Sequence, residues 1–259
     1  MARSNTIIAD IMEEETISVP VTADQEECAR LVDRYDLKYL PVVEENNTLV
    51  GLILVEDLVD VLREEDTEDM YRISGLGQGR LFDPLRSSIT RRLPWLYINL
   101  GTTILAALVI SLFESTIEKL VILAAFLPVI AGQGGIGGTQ TLTLVVRGLA
   151  LGEIYGNRGR RLLVRELTLG VIHGLLLGAL IGLIGYVWKG NVMLGLILGL
   201  AMLGNMVVAG MTGAGVPLLL RRMGLDPAVS SAVFVTTITD ILGFLLFLGL
   251  AAAFIGVLL

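Results

Sequence analysis

Residues 234–250 read FVTTITDILGFLLFLGL, and every side chain in that run except Asp240 is apolar, small or a threonine. A helix of about 20 such residues spans the hydrocarbon core of a bilayer, and this run with its flanks fills that length. Asp240 is the anomaly. A carboxylate at the centre of a membrane helix costs about 2.5–3.5 kcal/mol on insertion scales, so it is kept for a purpose. Two purposes compete: lining a polar path, or bonding a neighbouring helix.

Composition extends the same reading to the whole chain. Of 259 residues, 54% are hydrophobic and 17% charged, with a mean hydropathy of +0.75, which is the profile of a membrane protein rather than a soluble domain. Charge is partitioned. Residues 1–69 hold 19 acidic and 5 basic side chains, and residues 70–259 hold 7 acidic and 14 basic. The single cysteine, Cys28, permits no intramolecular disulfide and no cysteine-based metal site, and the single histidine, His173, excludes histidine-rich ligand sets. The N-terminus lacks the basic start and apolar core of a secretory signal, so the acidic region is expected to stay in the cytoplasm.

From about Leu93 onward, five apolar runs are long enough to cross a bilayer: roughly 94–112, 117–146 with a glycine-rich interruption, 166–188, 192–220 and 228–257. From Arg72 onward, twelve arginines precede the first run or lie between runs two and three and runs four and five, whereas the opposite side has only Lys119 and Lys189. The positive-inside rule then places the N-terminus in the cytoplasm and the C-terminus outside. Ahead of the runs, TISVPVTADQEECARLVDRYDLKYLPVVEENNTLVGLILVEDLVDVL alternates strand and helix: a helix over 25–35, then strands YLPVVEE and LVGLILV joined by Asn46-Asn47, then a helix from Glu56. A unit of about sixty residues is hard to stabilise alone, so it is expected to pair with something.

Three constellations carry the chemistry. On a helix, Thr236, Thr237, Gly243 and Phe244 lie three or four residues from Asp240, giving one face a carboxylate, hydroxyls and a small residue. PVIAGQGGIGGTQT has five glycines between Gly132 and Gly138, with Gly134 and Gly135 at its centre. That permits irregular backbone lining a wet cavity and offering carbonyl oxygens to a cation, or else close helix packing. No Gly-Lys-Ser/Thr follows, so it is no nucleotide loop. VVAGMTGAGV in the fourth run repeats its V-x-A-G-x-x-G-x-G pattern, a weak sign of an internal repeat. The third constellation is acidic: seven carboxylates between Asp57 and Asp69 repel one another on a helix unless cations screen them, or they form a solvated face. Glu166 sits beside Arg165 at the start of the third run, where an acid suits a helix N-terminus. His173 reads as a packing residue, Cys28 as core, and no nucleophile–base pair is visible.

The pattern from MEEETISV through YLPVV to LVGLILVEDLVDV resembles a single CBS motif, and VLREEDTEDMYRISGLG, LPWLYINLGT, FLPVIAGQGGIGGTQTLTLVVRGLALGEI and TTITDILGF, in that order, resemble the MgtE family of magnesium channels. The chain departs from the family at Ile136, where Asn is usual, and at Val233, where Pro is frequent. The resemblance implies an α-helical membrane protein of five transmembrane helices with a small cytosolic α/β CBS-like domain: residues 1–63 the CBS motif, 64–92 an acidic gating and connecting helix, 93–259 the cation-conducting part. It further implies a short form without the N-terminal helical domain, and a homodimer in the plasma membrane with the pore on its two-fold axis. Its cargo would be Mg²⁺ and other divalent cations, without catalysis, nucleic acid or ATP-driven transport, and with an adenine nucleotide as a possible ligand of the CBS motif. Pore residues would be Asp240, Thr236, Thr237, Gly134, Gly135 and Glu166, and cytosolic Mg²⁺ would act on Asp57, Asp60, Glu65, Glu68 and Asp69, with a hinge near Gly75–Gly79. One or two carboxylates gripping a hydrated ion suit Mg²⁺, which gives up water reluctantly. An exchanger coupled to Na⁺ or H⁺ would share these features; a membrane enzyme with a nucleotide-sensing CBS motif fits less well.

Overall fold

The structure, a computed structural model, describes residues 7, 12, 16–76, 82–154, 158–229 and 231–258. The chain divides into two compact units, 1–67 and 68–259.

The first unit is built on a three-stranded sheet. Strand β2 (Tyr39–Val43) is central, parallel to the short β1 (Val19–Pro20) and antiparallel to β3 (Leu49–Leu54). The β2–β3 turn uses the two asparagines: Asn47 adopts φ 62°, and Asn46 Oδ1 accepts from the Thr48 amide at 3.2 Å. Helix α1 (Gln25–Tyr35) turns Cys28, Ala29 and Val32 inward on one face, where they pack with Val19 and Leu40, and with Leu58 from the first turn of α2 (Val55–Ile73). Burial raises the Cys28 thiol pKa, and the charges of Glu27 and Asp24 add to the effect, so it behaves as an inert core residue. The sheet leaves Tyr39, Leu49, Leu52 and Leu54 exposed, an apolar face that this unit does not cover itself.

The second unit is helical. Its five membrane-length helices are α3 (Leu85–Ser111), α5 (Ile122–Ala150), α6 (Arg158–Lys189), α7 (Val192–Arg222) and α8 (Ser231–Ala253); the short α4 (Glu114–Lys119) and α9 (Ile255–Leu258) flank them. The chain is thus a mostly helical multi-pass membrane protein with a small α/β unit. Helices α3 and α6 begin about two turns before the apolar runs that announced them, because hydropathy marks where the oil starts, whereas arginine and leucine are good helix formers on either side of that boundary.

Helix α7 is the hub, packing on α5, α6 and α8. Its contact with α6 is backbone against backbone: a Cβ added at Gly174 would lie 2.8 Å from Leu203 Cα, and one at Gly178 would lie 2.6 Å from the Gly199 carbonyl oxygen. Lipid gives no hydrophobic drive for helices to associate, so close approach through small residues supplies the dispersion contacts instead. Around α7, Phe126 and Ile130 of α5, Ile197 and Met202 of α7, and Phe247 and Leu248 of α8 form the main core.

Two helix ends meet at one ion pair. Gly75 at φ 68° closes α2, its amide donating to the Arg72 carbonyl and the Leu76 amide to that of Tyr71; Gly224 at φ 72° closes α7 in the same way. Between these stops Arg72 pairs with both Glu68 and Asp226, and Asp226 also accepts from the Ala228 amide at 2.8 Å, pinning the turn that leads into α8. Burial alone would lower the Arg72 pKa, but Asp226 and then Glu68 outweigh it and raise it further. Gly75 is buried against Trp95 as a helix stop; Gly77 and Gly79, the rest of the expected hinge, lie outside the described residues.

Candidate cation site

Helix α5 runs without interruption through Gly132–Gly138. This corrects the expectation of irregular backbone: inside hydrocarbon an unpaired carbonyl is costly, and intrahelical bonding is the cheapest way to satisfy each one. The glycines divide by face. Gly134, Gly137 and Gly138 pack on α7 and α8, where a Cβ would come within 3 Å of Asn205, Met206 and Val235 respectively. Gly132 and Gly135 fall on another face, together with Ala131, Ile136, Thr139, Gln140 and Thr143, which recur at helical spacing.

That second face forms one wall of an open groove of about 600 Å³, and Thr236 and Asp240 of α8 form the other. At its narrow point a Cβ on Gly135 would lie 3.5 Å from Thr236 Cγ2. Asp240 is partly buried, and among the described residues no donor or cation pairs with its carboxyl group. The threonines satisfy their protons locally: Thr139 donates to the Gly135 carbonyl at 2.8 Å, Thr143 to that of Thr139 at 2.9 Å and Thr236 to that of Ala232 at 3.0 Å. Each hydroxyl oxygen keeps lone pairs to offer, so the groove presents oxygen acceptors around one carboxyl group. Among the described residues no three His, Cys, Asp or Glu side chains converge on a point. Such a lining suits an ion that keeps its water rather than one stripped by a protein cage.

The other expected residues are placed as follows. Thr237 donates to the Val233 carbonyl at 2.6 Å and is absent from the groove lining, and Gly243 and Phe244 are buried in the helix packing. Gly134 is likewise buried, against Asn205. Glu166 is in the third turn of α6, not at its N-terminus; it is buried at 6% exposure and accepts from Thr141 at 3.0 Å, while α7 passes so close that a Cβ on Gly210 would lie 2.7 Å from the Glu166 carbonyl oxygen. His173 is exposed on α6 without a hydrogen-bond partner among the described residues, so it is not a buried packing residue. Asp57 and Asp60 lie on α2, as does Glu68, which is engaged with Arg72; the side chains of Glu65 and Asp69 lie outside the described ones. The sequence reading did not use Asn205, although an amide alone in LGLAMLGNMVVAGM is the same kind of anomaly as Asp240.

A small α/β unit followed by five membrane-length helices, with one acid facing a hydroxyl-lined groove between two of them, defines a multi-pass membrane protein with a polar site in its helical unit. Residues 127–250 match the MgtE family, described as divalent cation transporter, and residues 8–64 match the CBS domain. The chain thus carries an MgtE domain behind a CBS domain. It is 37% identical over 249 residues to the magnesium transporter MgtE of Bacillus subtilis (strain 168), covering 96% of this chain and 55% of that protein. The magnesium transporter MgtE of Enterococcus faecalis is 35% identical (96% of this chain, 55% of that protein), and that of Thermus thermophilus 36% identical (97% and 56%). The chain therefore spans a little over half the length of these relatives.

Proposed function

We propose that this protein carries hydrated divalent cations, Mg²⁺ foremost, across a membrane along a path that includes the Asp240 groove. One observation carries the reading: an acid without a partner among the described residues faces hydroxyl and amide oxygens between α5 and α8, where a structural acid would have a neighbouring donor. The names of the relatives support Mg²⁺ as cargo.

The groove is open along one side, and exposed Gln140 and Thr143 border it on a membrane helix. Polar side chains facing lipid are unfavourable, so a second copy of the chain is the natural cover, giving a homodimer with two Asp240 groups flanking a shared path. Arginine placement supports a cytosolic N-terminus and an outer C-terminus, and flow is inward down the electrochemical gradient. The acidic stretch of α2, with Asp57, Asp60, Glu65, Glu68 and Asp69, acts as the sensor of internal Mg²⁺. The exposed apolar sheet face of the first unit supports pairing with another CBS-like surface.

The test is Mg²⁺ flux into liposomes holding the purified protein with no second ion gradient. Flux that appears only with an imposed Na⁺ or H⁺ gradient replaces the channel with an exchanger, and no flux under either condition removes the transport reading.

A further inference from the structure

Asn205 is fully buried in the middle of α7. Its Nδ2 donates to the Ile130 carbonyl of α5 at 2.7 Å, and its Oδ1 has no donor among the described residues. The reverse amide assignment would set two acceptors face to face. The same amide lies against glycine on both sides: a Cβ at Gly134 of α5 would come to 2.3 Å from Nδ2, and one at Gly243 of α8 to 2.9 Å from Cγ. Gly134 adjoins Gly135 in the groove wall, and Gly243 is one helical turn from Asp240.

We propose that Asn205 is a positioning residue that sets the width of the Asp240 groove by holding the backs of both its walls, α5 through the Ile130 carbonyl and α8 through Gly243. If Asn205 served only to fill space, an apolar side chain would do so without stranding an acceptor, as the buried Met202 does one turn away and the buried Met206 does at the next position of α7. The amide is distinguished from them by its tie to Ile130, and that tie ends where the groove lining begins, at Ala131 and Gly132. Ion discrimination follows: a groove that grips a hydrated ion through its water shell selects by width, so a change at Asn205 alters which ion passes without touching any groove-lining side chain.

This inference rests on Asp240 being the cation site, but its main test does not require transport. In a cysteine-free Cys28→Ser background, Gly135→Cys with Thr236→Cys places two thiols across the narrow point, and the rate of disulfide formation reports the α5–α8 spacing. Asn205→Leu keeps the branched shape and removes the hydrogen bond. The expected result is a several-fold slower cross-link in protein that still unfolds cooperatively in detergent, together with a several-fold shift in the ratio of Mg²⁺ to Ca²⁺ flux when the native groove residues are present. An unchanged cross-linking rate overturns the proposal, whatever the flux, and so does a loss of flux for both ions in equal proportion. If Asn205→Leu does not fold, Gly243→Ala, which presses a methyl group against the amide and leaves it in place, carries the same two measurements with the same criteria. A wild-type protein that passes no ion while its cross-link still depends on Asn205 would refute the transport reading and leave the positioning role standing.

Discussion

Replacing Asp240 by Asn keeps the volume and removes the charge proposed to attract a divalent ion into the groove. Mg²⁺ flux is expected to fall by roughly tenfold or more while expression and folding persist, because an amide is easier to bury in a membrane than a carboxylate. Undiminished flux in liposomes would return Asp240 to a structural role. A second residue-scale prediction concerns Glu166, whose hydrogen-bonded partner in the structure is Thr141. Thr141→Val leaves a buried carboxyl group without its donor and should lower stability by about 1–3 kcal/mol, read as earlier thermal unfolding in detergent. Charge made Asp240 legible in the sequence, since nothing else in its run is ionisable. Asn205 sent the same signal more faintly, because an uncharged amide in an apolar helix costs less and stands out less. Glu166 misled because Arg165 beside it resembled a helix start, whereas α6 begins at Arg158.

At the scale of elements, glycine has opposite consequences in two places. In α5 five glycines left open a broken helix or close helix packing; the membrane enforces intrahelical hydrogen bonding, and neighbouring helices use the missing side chains as room for close approach. Sequence shows where side chains are absent; whether the vacated space meets water or another helix depends on tertiary packing that periodicity does not encode. The echo between PVIAGQGGIGGTQT and VVAGMTGAGV has a physical use in that packing, because a Cβ at Gly213 would lie 2.5 Å from the Gly138 carbonyl oxygen. Along α6 such backbone contacts recur, at Gly170, Gly174, Gly178 and Gly182. Gly174→Val would press a branched side chain into the Leu203 backbone, which has no rotamer by which to yield, and is expected to destabilise the helical unit by about 1–3 kcal/mol or more. Recovery of folded protein from membranes should drop, and wild-type yield and melting temperature would show that the helices separate without cost. The number of membrane helices was readable from hydropathy alone; their ends, and the short α4 and α9, were not, because those depend on interfacial packing rather than on oil.

At the scale of the whole molecule, the proposed sensor on α2 needs a physical route to the proposed path, whose acid is on α8. Arg72 offers one physical link: it closes the C-terminal end of α2 onto Asp226, and Asp226 pins the turn entering α8. If internal Mg²⁺ neutralises the carboxylates of α2, repulsion along the helix falls and a closed arrangement gains population, with the bias passed on through that ion pair. Two variants separate the parts. Changing Asp57, Asp60, Glu65 and Asp69 together to Ala removes proposed ligands but leaves Glu68 on Arg72, so flux should no longer fall as internal Mg²⁺ is raised. Arg72→Gln keeps every carboxylate and cuts the link, so the α2 region should still bind Mg²⁺, seen as protection from protease, while flux ceases to follow it. Current through excised patches over a range of internal Mg²⁺ measures both. Should wild type and the four-carboxylate variant close over the same Mg²⁺ range, α2 is a solvated surface and control lies elsewhere. If the Arg72→Gln protein closes like wild type, the sensor reaches the path by a route other than Asp226.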